Sequence, residues 1–512
     1  MRRTVAAVVV ALSTALSLSA SPGTALAGST GTPNAVDGST TTSARALAVR
    51  ALHTATQVLA GRATRTDPSM ALLRLRLTMH ALTPADRRHA VAILARPTDH
   101  PDLYGQTYRV KAKKKCAGHI CIHWVPTSRD APPSRTWVDK QLTMLNNVWT
   151  FEVKKLGYRR PVSDGTRGGG SGKFDVYLKE LYHQGLYGLT VAEQRTSSNN
   201  RLYSSYLLID NDFKRSQFHA DPMQVARVTA AHEFFHATQY GYDAGEDPWL
   251  MESTATWMED QFDDSSNDNR QYLPWSQLRK PGTPLDTFTN GGFEQYGNWV
   301  FFEYLSERYG RRIVRSVWKH AAAFGRGGHQ FSAEAIHSAL HSHGGMTTVF
   351  GRYASGNTVP RRAYAEGKAY PAAGSARQVT LTRASPRTPW TTYAVRHLAS
   401  VNLRATPGAD LSGPRWRLRL TVDGPQRATS PAVVVLVTRK HHPATRMIVH
   451  LTKQGRGKVS VPFSRAGTRV VTVTLVNAST TFTCHTNGGY SCNGTSKAPH
   501  PSFAVKLVAY KR

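Results

Sequence analysis

The period of the apolar residues changes once along this chain, at Ala372-Ala373-Gly374, and no single fold class accommodates both sides of the change. Downstream, RWRLRLTV, AVVVLVTR, RMIVHLT, KVSVPF, RVVTVTLV and FAVKLVAY alternate with a period of two and are separated by turns. Half-buried antiparallel strands impose that pattern, and its repetition predicts a β-sandwich over residues 376–512. Upstream, longer apolar patterns recur at helical spacing and enclose short strands, which predicts an α+β unit over residues 106–370. A helical face runs through Val138, Leu142, Leu145, Trp149 and Val153. KFDVYL, residues 187–191 and SYLLID read as strands leading into a long helix near residue 222. Further helical patterns cover residues 251–262, 296–322 and 333–350.

The beginning of the chain reads as an export signal over residues 1–27. Met1-Arg2-Arg3 is basic, residues 5–18 are mostly apolar, and Ala25-Leu26-Ala27 offers a small-x-small cleavage site. That apolar run is shorter than the ~20 residues a spanning helix needs, and no later run is long enough. Residues 28–105 then read as a helical N-terminal region behind a Gly, Ser and Thr rich leader. Thr83-Pro84 supplies an N-cap and a first-turn proline. This region fits either a propeptide or an integral subdomain, and it has no cysteine that could cap a metal. The four cysteines fall into two local pairs, Cys116/Cys121 and Cys484/Cys492. Short-range disulfides, and hence a secreted or cell-wall location, are the expectation.

Charge is unevenly spread. Of the formal net charge of +32, the segment from Arg377 to Arg512 carries 21 Lys and Arg against Asp410 and Asp423 alone. Such a segment attracts polyanions, with an anionic cell-wall polymer as the expected partner and no specific nucleic acid indicated. A basic surface that only aids solubility is the alternative.

The chemistry-bearing motif lies on the long helix, which Asp221 caps and Pro222 opens. His232-Glu233-Phe234-Phe235-His236 is an HExxH sequence. Two histidines four apart share one helix face, one turn apart, and so reach a single cation, while Glu233 lies beside that face. A four-coordinate catalytic zinc needs one more protein ligand and one open position. Sixteen residues after His236 comes Glu252, opening the helical stretch ESTATWMED after a reversal through GYDAGEDP. That reversal returns Glu252 to the histidine pair, with Thr256 or Glu259 next in line to hydrogen-bond a ligand.

With AHEFFHATQYGY followed by WLMESTATWMED, the chain resembles the gluzincin metallopeptidases, and most closely a group of secreted bacterial metalloproteases. The resemblance covers residues 106–365 and is most specific over residues 205–262. It implies a zincin-like catalytic domain, His232, His236 and Glu252 as ligands of one Zn2+, and Glu233 as general base. Tyr296 resembles the tyrosine that stabilises the oxyanion in some members; a core tyrosine is the alternative, and Tyr240 and Tyr242 are weaker candidates. Some gluzincins carry an aspartate one turn after the ligand glutamate, where this chain has Thr256.

Two other motifs fail on inspection. Gly168 to Lys173 lacks the first glycine of a phosphate loop and precedes a strand. Asp263 to Asn269 lacks the glycine and closing glutamate of an EF-hand, so Ca2+ there or at Asp210-Asn211-Asp212 is an alternative to a solvated acidic loop. The leading expectation is therefore a secreted zinc peptidase acting on proteins or peptides. A non-catalytic wall- or polyanion-binding protein with an inactive metal site, and a hydrolase of another amide such as a peptidoglycan crosslink, are the alternatives.

Overall fold

The computed structural model describes residues 38–63, 66–99, 107–289, 291–324 and 329–512, with side chains from residue 43. The expected export signal and most of the leader lie outside these residues; residues 38–43, expected as the end of the flexible leader, already belong to a helix. The described chain is mixed α/β, with helices concentrated in its N-terminal half and β-sheets in its C-terminal region.

A five-stranded sheet organises the first half. It comprises β1 (Lys113–Ala117), β2 (Ile120–Trp124), β3 (Phe174–Lys179), β4 (Gly188–Arg195) and β5 (Tyr203–Asp210) in the order β1-β2-β3-β5-β4. The three central strands β2, β3 and β5 run parallel, and β1 and β4 pair antiparallel at the edges. Parallel strands need cover on both faces, and the period of two divides their side chains between two cores. Val176, Leu178, Leu207 and Ile209 face Leu142, Leu145, Phe234 and Ala237 of two long helices, Arg135–Trp149 and Pro222–Asp243. Tyr177, Tyr206 and Leu208 face the other way, onto Ala48, Leu72, Leu75 and Ile93.

Those last residues belong to the N-terminal helices Gly38–Leu59, Pro68–Thr78 and Pro84–Ile93, the helical region the sequence predicts. Thr83 caps the third, accepting from Asp86 N at 3.1 Å. The region therefore forms the second cover of the sheet. A buried charge cluster fastens it: Arg96 bonds Asp164 at 2.6 Å, Asp175 at 2.5 Å and Glu193 at 2.5 Å, with its own side chain 1% exposed. A guanidinium out of water is tolerable only when paired in this way.

The Pro222–Asp243 helix begins as its sequence dictates, with Asp221 Oδ1 accepting from Met223 N and Gln224 N at 3.1 Å each. Four residues later the antiparallel helix Pro248–Phe262 starts. The pattern expected over 296–322 is broken at Asn298 and Gly310, giving Glu294–Gly297, Trp299–Tyr309 and Arg312–Ala321. Gly310 has φ 80°, which ends one helix and lets the next turn away. Trp249, Trp257, Trp299 and Trp318 fill the core between these helices.

From Arg377 onward the chain is strands in two layers. One sheet, order β11-β10-β13-β8-β6, comprises Thr445–Ile448, Pro431–Arg439, Thr468–Asn477, Ala399–Pro407 and Arg377–Leu381 respectively. The other, order β12-β9-β16-β7, comprises Arg456–Pro462, Trp416–Asp423, Ser502–Lys511 and Thr391–Ala394. Val433, Val435, Val473 and Leu475 of the first meet Leu418, Leu420, Val505 and Leu507 of the second in one apolar core. A small hairpin, β14 (Phe482–Thr483) with β15 (Thr495–Ser496), completes the strands. Disulfides join Cys116–Cys121 and Cys484–Cys492, the expected pairs. No described helix is long and apolar enough to cross a membrane.

Candidate metal centre

His232 and His236 project from one face of their helix, and their Nε2 atoms approach to 3.1 Å. Glu252, at the start of the second turn of the next helix, brings Oε2 to 3.2 Å from His232 Nε2 and Oε1 to 3.2 Å from His236 Nε2. The four-residue reversal thus returns Glu252 to the histidines. Its start is held from the far end of the chain: Asp247 accepts from Cys492 N at 2.8 Å and from Ser332 Oγ at 2.5 Å.

The other nitrogen of each ring is engaged. His232 Nδ1 meets Glu259 Oε1 at 2.7 Å. His236 Nδ1 meets Gln239 Oε1 at 2.8 Å, and Gln239 is fixed by donating Nε2 to Met251 O at 2.9 Å. Each Nδ1 faces an acceptor, so in the neutral rings it carries the proton and each Nε2 presents a lone pair. Glu252 is 0% exposed, and neither carboxylate oxygen has a hydrogen-bond donor. Two nitrogen lone pairs and a buried carboxylate converging without a donor form a site that could hold a cation. With protons alone, burial lowers the His232 pKa, but Glu252 and Glu259 outweigh it and raise it well above the ordinary value. Burial raises the Glu252 carboxyl, yet His236 and His232 hold it down at about 2. Two imidazoles and one carboxylate are a donor set that suits zinc.

Glu233 lies beside this cluster, 6% exposed. Its Oε2 accepts from Ser69 Oγ at 3.0 Å and from Thr190 Oγ1 at 2.7 Å. Gly188 leaves the room for it, since a Cβ there would stand 3.1 Å from Glu233 Cγ and 2.8 Å from the Thr229 methyl. Tyr296 stacks near His232, ring centroids 6.2 Å apart, and donates its hydroxyl to Asp67 Oδ2 at 2.5 Å. Burial and the nearby Glu252 push Asp67 up to about 7. Tyr240 is buried with an unpartnered hydroxyl, and Tyr242 accepts from Arg159 N at 3.1 Å. Of the two candidates for orienting a ligand, Glu259 bonds His232, whereas Thr256 Oγ1 is buried and partnerless.

Sequence reading brings together His232, Glu233, His236, Glu252 and Tyr296, and misses four groups. Gln239 was legible, three residues past His236 on the same helix. Asp67, Ser69 and Thr190 were not: Ser69 lies 164 residues from Glu233. Asp67 and Pro68 look like nothing more than a helix start, a role Asp67 also fills by accepting from Met70 N at 2.6 Å.

Among the alternative motifs, Asp210 is absorbed by its own turn, accepting from Leu181 N and Phe213 N, and Asp212 pairs with Lys214 at 2.9 Å. The loop after Phe262 is less solvated than expected. Asp263 pairs with Arg227 at 3.0 Å and Asn269 is 1% exposed. His441 and His442 are exposed.

A mixed α/β protein with a buried centre of two histidines and a glutamate is what these elements define. Residues 107–325 match the model of a family of unknown function, DUF6055. That span holds every residue of the centre except Asp67 and Ser69. No curated protein matches the chain.

Proposed function

We propose that the protein is a zinc-dependent peptidase of the gluzincin type, with a zincin-like catalytic domain, exported to an oxidising compartment. The observation that carries the reading is the convergence of His232 Nε2, His236 Nε2 and the donor-free Glu252 carboxylate beside Glu233. A structural site has no use for the adjoining carboxylate, whereas a hydrolytic one needs a base there. The two disulfides support export.

A zinc ion held by the three ligands would supply Lewis acidity toward a scissile carbonyl and make water a better acid. Glu233 takes the proton of the attacking water as the C–O bond forms, and returns it to the leaving amine, whose C–N bond then breaks. Thr190 holds one Glu233 oxygen, which fixes the direction of the other. Glu259 and Gln239 keep the imidazole rings turned inward. Tyr296, stacked near His232, would supply the donor to the oxyanion.

The same reading makes this conformation a closed one. The Thr190 N–H, on edge strand β4, donates to Ser69 Oγ at 2.9 Å. An extended peptide that added to this edge would take that hydrogen bond. Asp67 meanwhile accepts the hydrogen bond of the Tyr296 hydroxyl. Residues 67–69 thus stand in for substrate, and their displacement opens the site. Hydrolysis of the chain's substrate should require zinc and vanish in Glu233→Gln with metal retained, while Glu252→Ala should lower zinc content. Full zinc stoichiometry in Glu252→Ala would put the third ligand elsewhere.

The basic sandwich fits attachment to an anionic wall polymer, which would bring the enzyme to proteins held at a cell surface.

A further inference from the structure

A second set of acidic groups lies at the other end of the Glu252 helix, away from the zinc ligands. Oxygens of Asp260, Asp264 and Glu366 lie within 4.8 Å of one another. Asp260 is 6% exposed and its Oδ1 has no hydrogen-bond partner. Acidic clusters are common on protein surfaces, but here a second feature points inward. Asn269, 1% exposed, lies against the Asp260 carboxyl, and its Oδ1 accepts no hydrogen bond. A fully buried amide oxygen left without a donor costs more than one ordinary hydrogen bond returns.

Charge around the cluster is also unbalanced. Arg270 pairs with Glu366, Nε lying 3.2 Å from Oε2. One guanidinium against Asp260, Asp264 and Glu366 leaves an excess equal to the charge of a single divalent cation. In keeping with this, burial and the neighbouring Glu366 push Asp260 up to about 7.

We propose that Asp260, Asp264, Glu366 and the Asn269 carbonyl form a calcium site, distinct from the two-histidine centre. The ligands are oxygen only, which favours a hard cation over zinc. They come from a helix end, a loop, a 3-10 segment and a distant turn, an arrangement that suits calcium's irregular coordination better than magnesium's strict octahedron. Bound there, calcium fixes the helix end next to Glu259, the residue that orients His232, and ties it to the segment just before the strands. The inference does not depend on the peptidase reading.

The test is calorimetric titration of the zinc-loaded full chain with calcium chloride, beside Asp264→Asn and Asp260→Asn. The wild type should take up one calcium per chain and its melting temperature should rise with calcium. Asp264 is exposed, so Asp264→Asn should fold normally and bind calcium at least about tenfold more weakly. Asp260→Asn should lose the calcium response yet melt no lower than wild type without calcium, since it removes a buried charge. No uptake by the wild type at millimolar calcium, or unchanged affinity in both variants, would overturn the proposal.

Discussion

Asp67→Ser separates closure from folding. Serine still caps the Pro68–Thr78 helix, so the bond to Met70 N survives in kind, but it is too short to reach Tyr296. What is removed is one hydrogen bond of 2.5 Å from Tyr296 to a buried carboxylate. Bonds of that charge-assisted type contribute about 1.5–3 kcal/mol, which converts to an increase of about 10- to 150-fold in the population of the open site. Because Tyr296 is also freed to act as a donor, the gain should appear in kcat/KM for casein hydrolysis by the zinc-loaded full chain. Ser69→Ala should act in the same direction, since it frees the β4 edge. A double variant, Asp67→Ser with Tyr296→Phe, should lose the gain. If Asp67→Ser keeps its zinc and its circular dichroism spectrum but hydrolyses casein no faster than wild type, Asp67 does not close the site.

Three further outcomes follow from the packing. Arg96→Met leaves Asp164, Asp175 and Glu193 buried without their cation and should cost about 3–5 kcal/mol, measured by urea unfolding; a loss below ~1 kcal/mol would show that the N-terminal region is not fastened there. Gly188→Ala puts a Cβ 2.8 Å from Thr229 and 3.1 Å from Glu233, so about 1–3 kcal/mol of stability and most of the turnover should go, with zinc content unchanged. His329 is raised to about 9 chiefly by Asp243, and then by Glu246. Its folded pKa exceeds its unfolded one, so its contribution is complete below about pH 6.5 and is lost as pH rises through about 9. Melting temperature should fall between pH 7 and 9.5, by an amount that His329→Gln reduces; equal slopes in both proteins would contradict the assignment.

How much of this was legible in the sequence depended on where the determinants sit. The motif helix was readable because its period, its Asp221 cap and its histidine spacing are all local. Glu252 was readable because only a short reversal separates it from His236. The sandwich strands from Trp416 onward declared themselves by alternation, but Arg377–Leu381, Thr391–Ala394 and Ala399–Pro407 carry too few apolar residues in sequence to do so. Lys113–Ala117 is exposed at every position and offers no apolar face to read, and it is a strand because β2 and a disulfide hold it. The N-terminal region was legible as helix and silent about its role. Its cover of Tyr177 and Tyr206, and the reach of Asp67 and Ser69 into the centre, are tertiary facts that no local pattern encodes.

The central claim is that Glu233 works as a base beside a zinc held by His232, His236 and Glu252. Its most direct test is casein hydrolysis by zinc-loaded Asp67→Ser, beside the same variant carrying Glu233→Gln, with metal content measured on both samples. The account predicts one zinc per chain in each, with turnover in the first and none detectable in the second. Equal turnover in the two, or none in either, would contradict it.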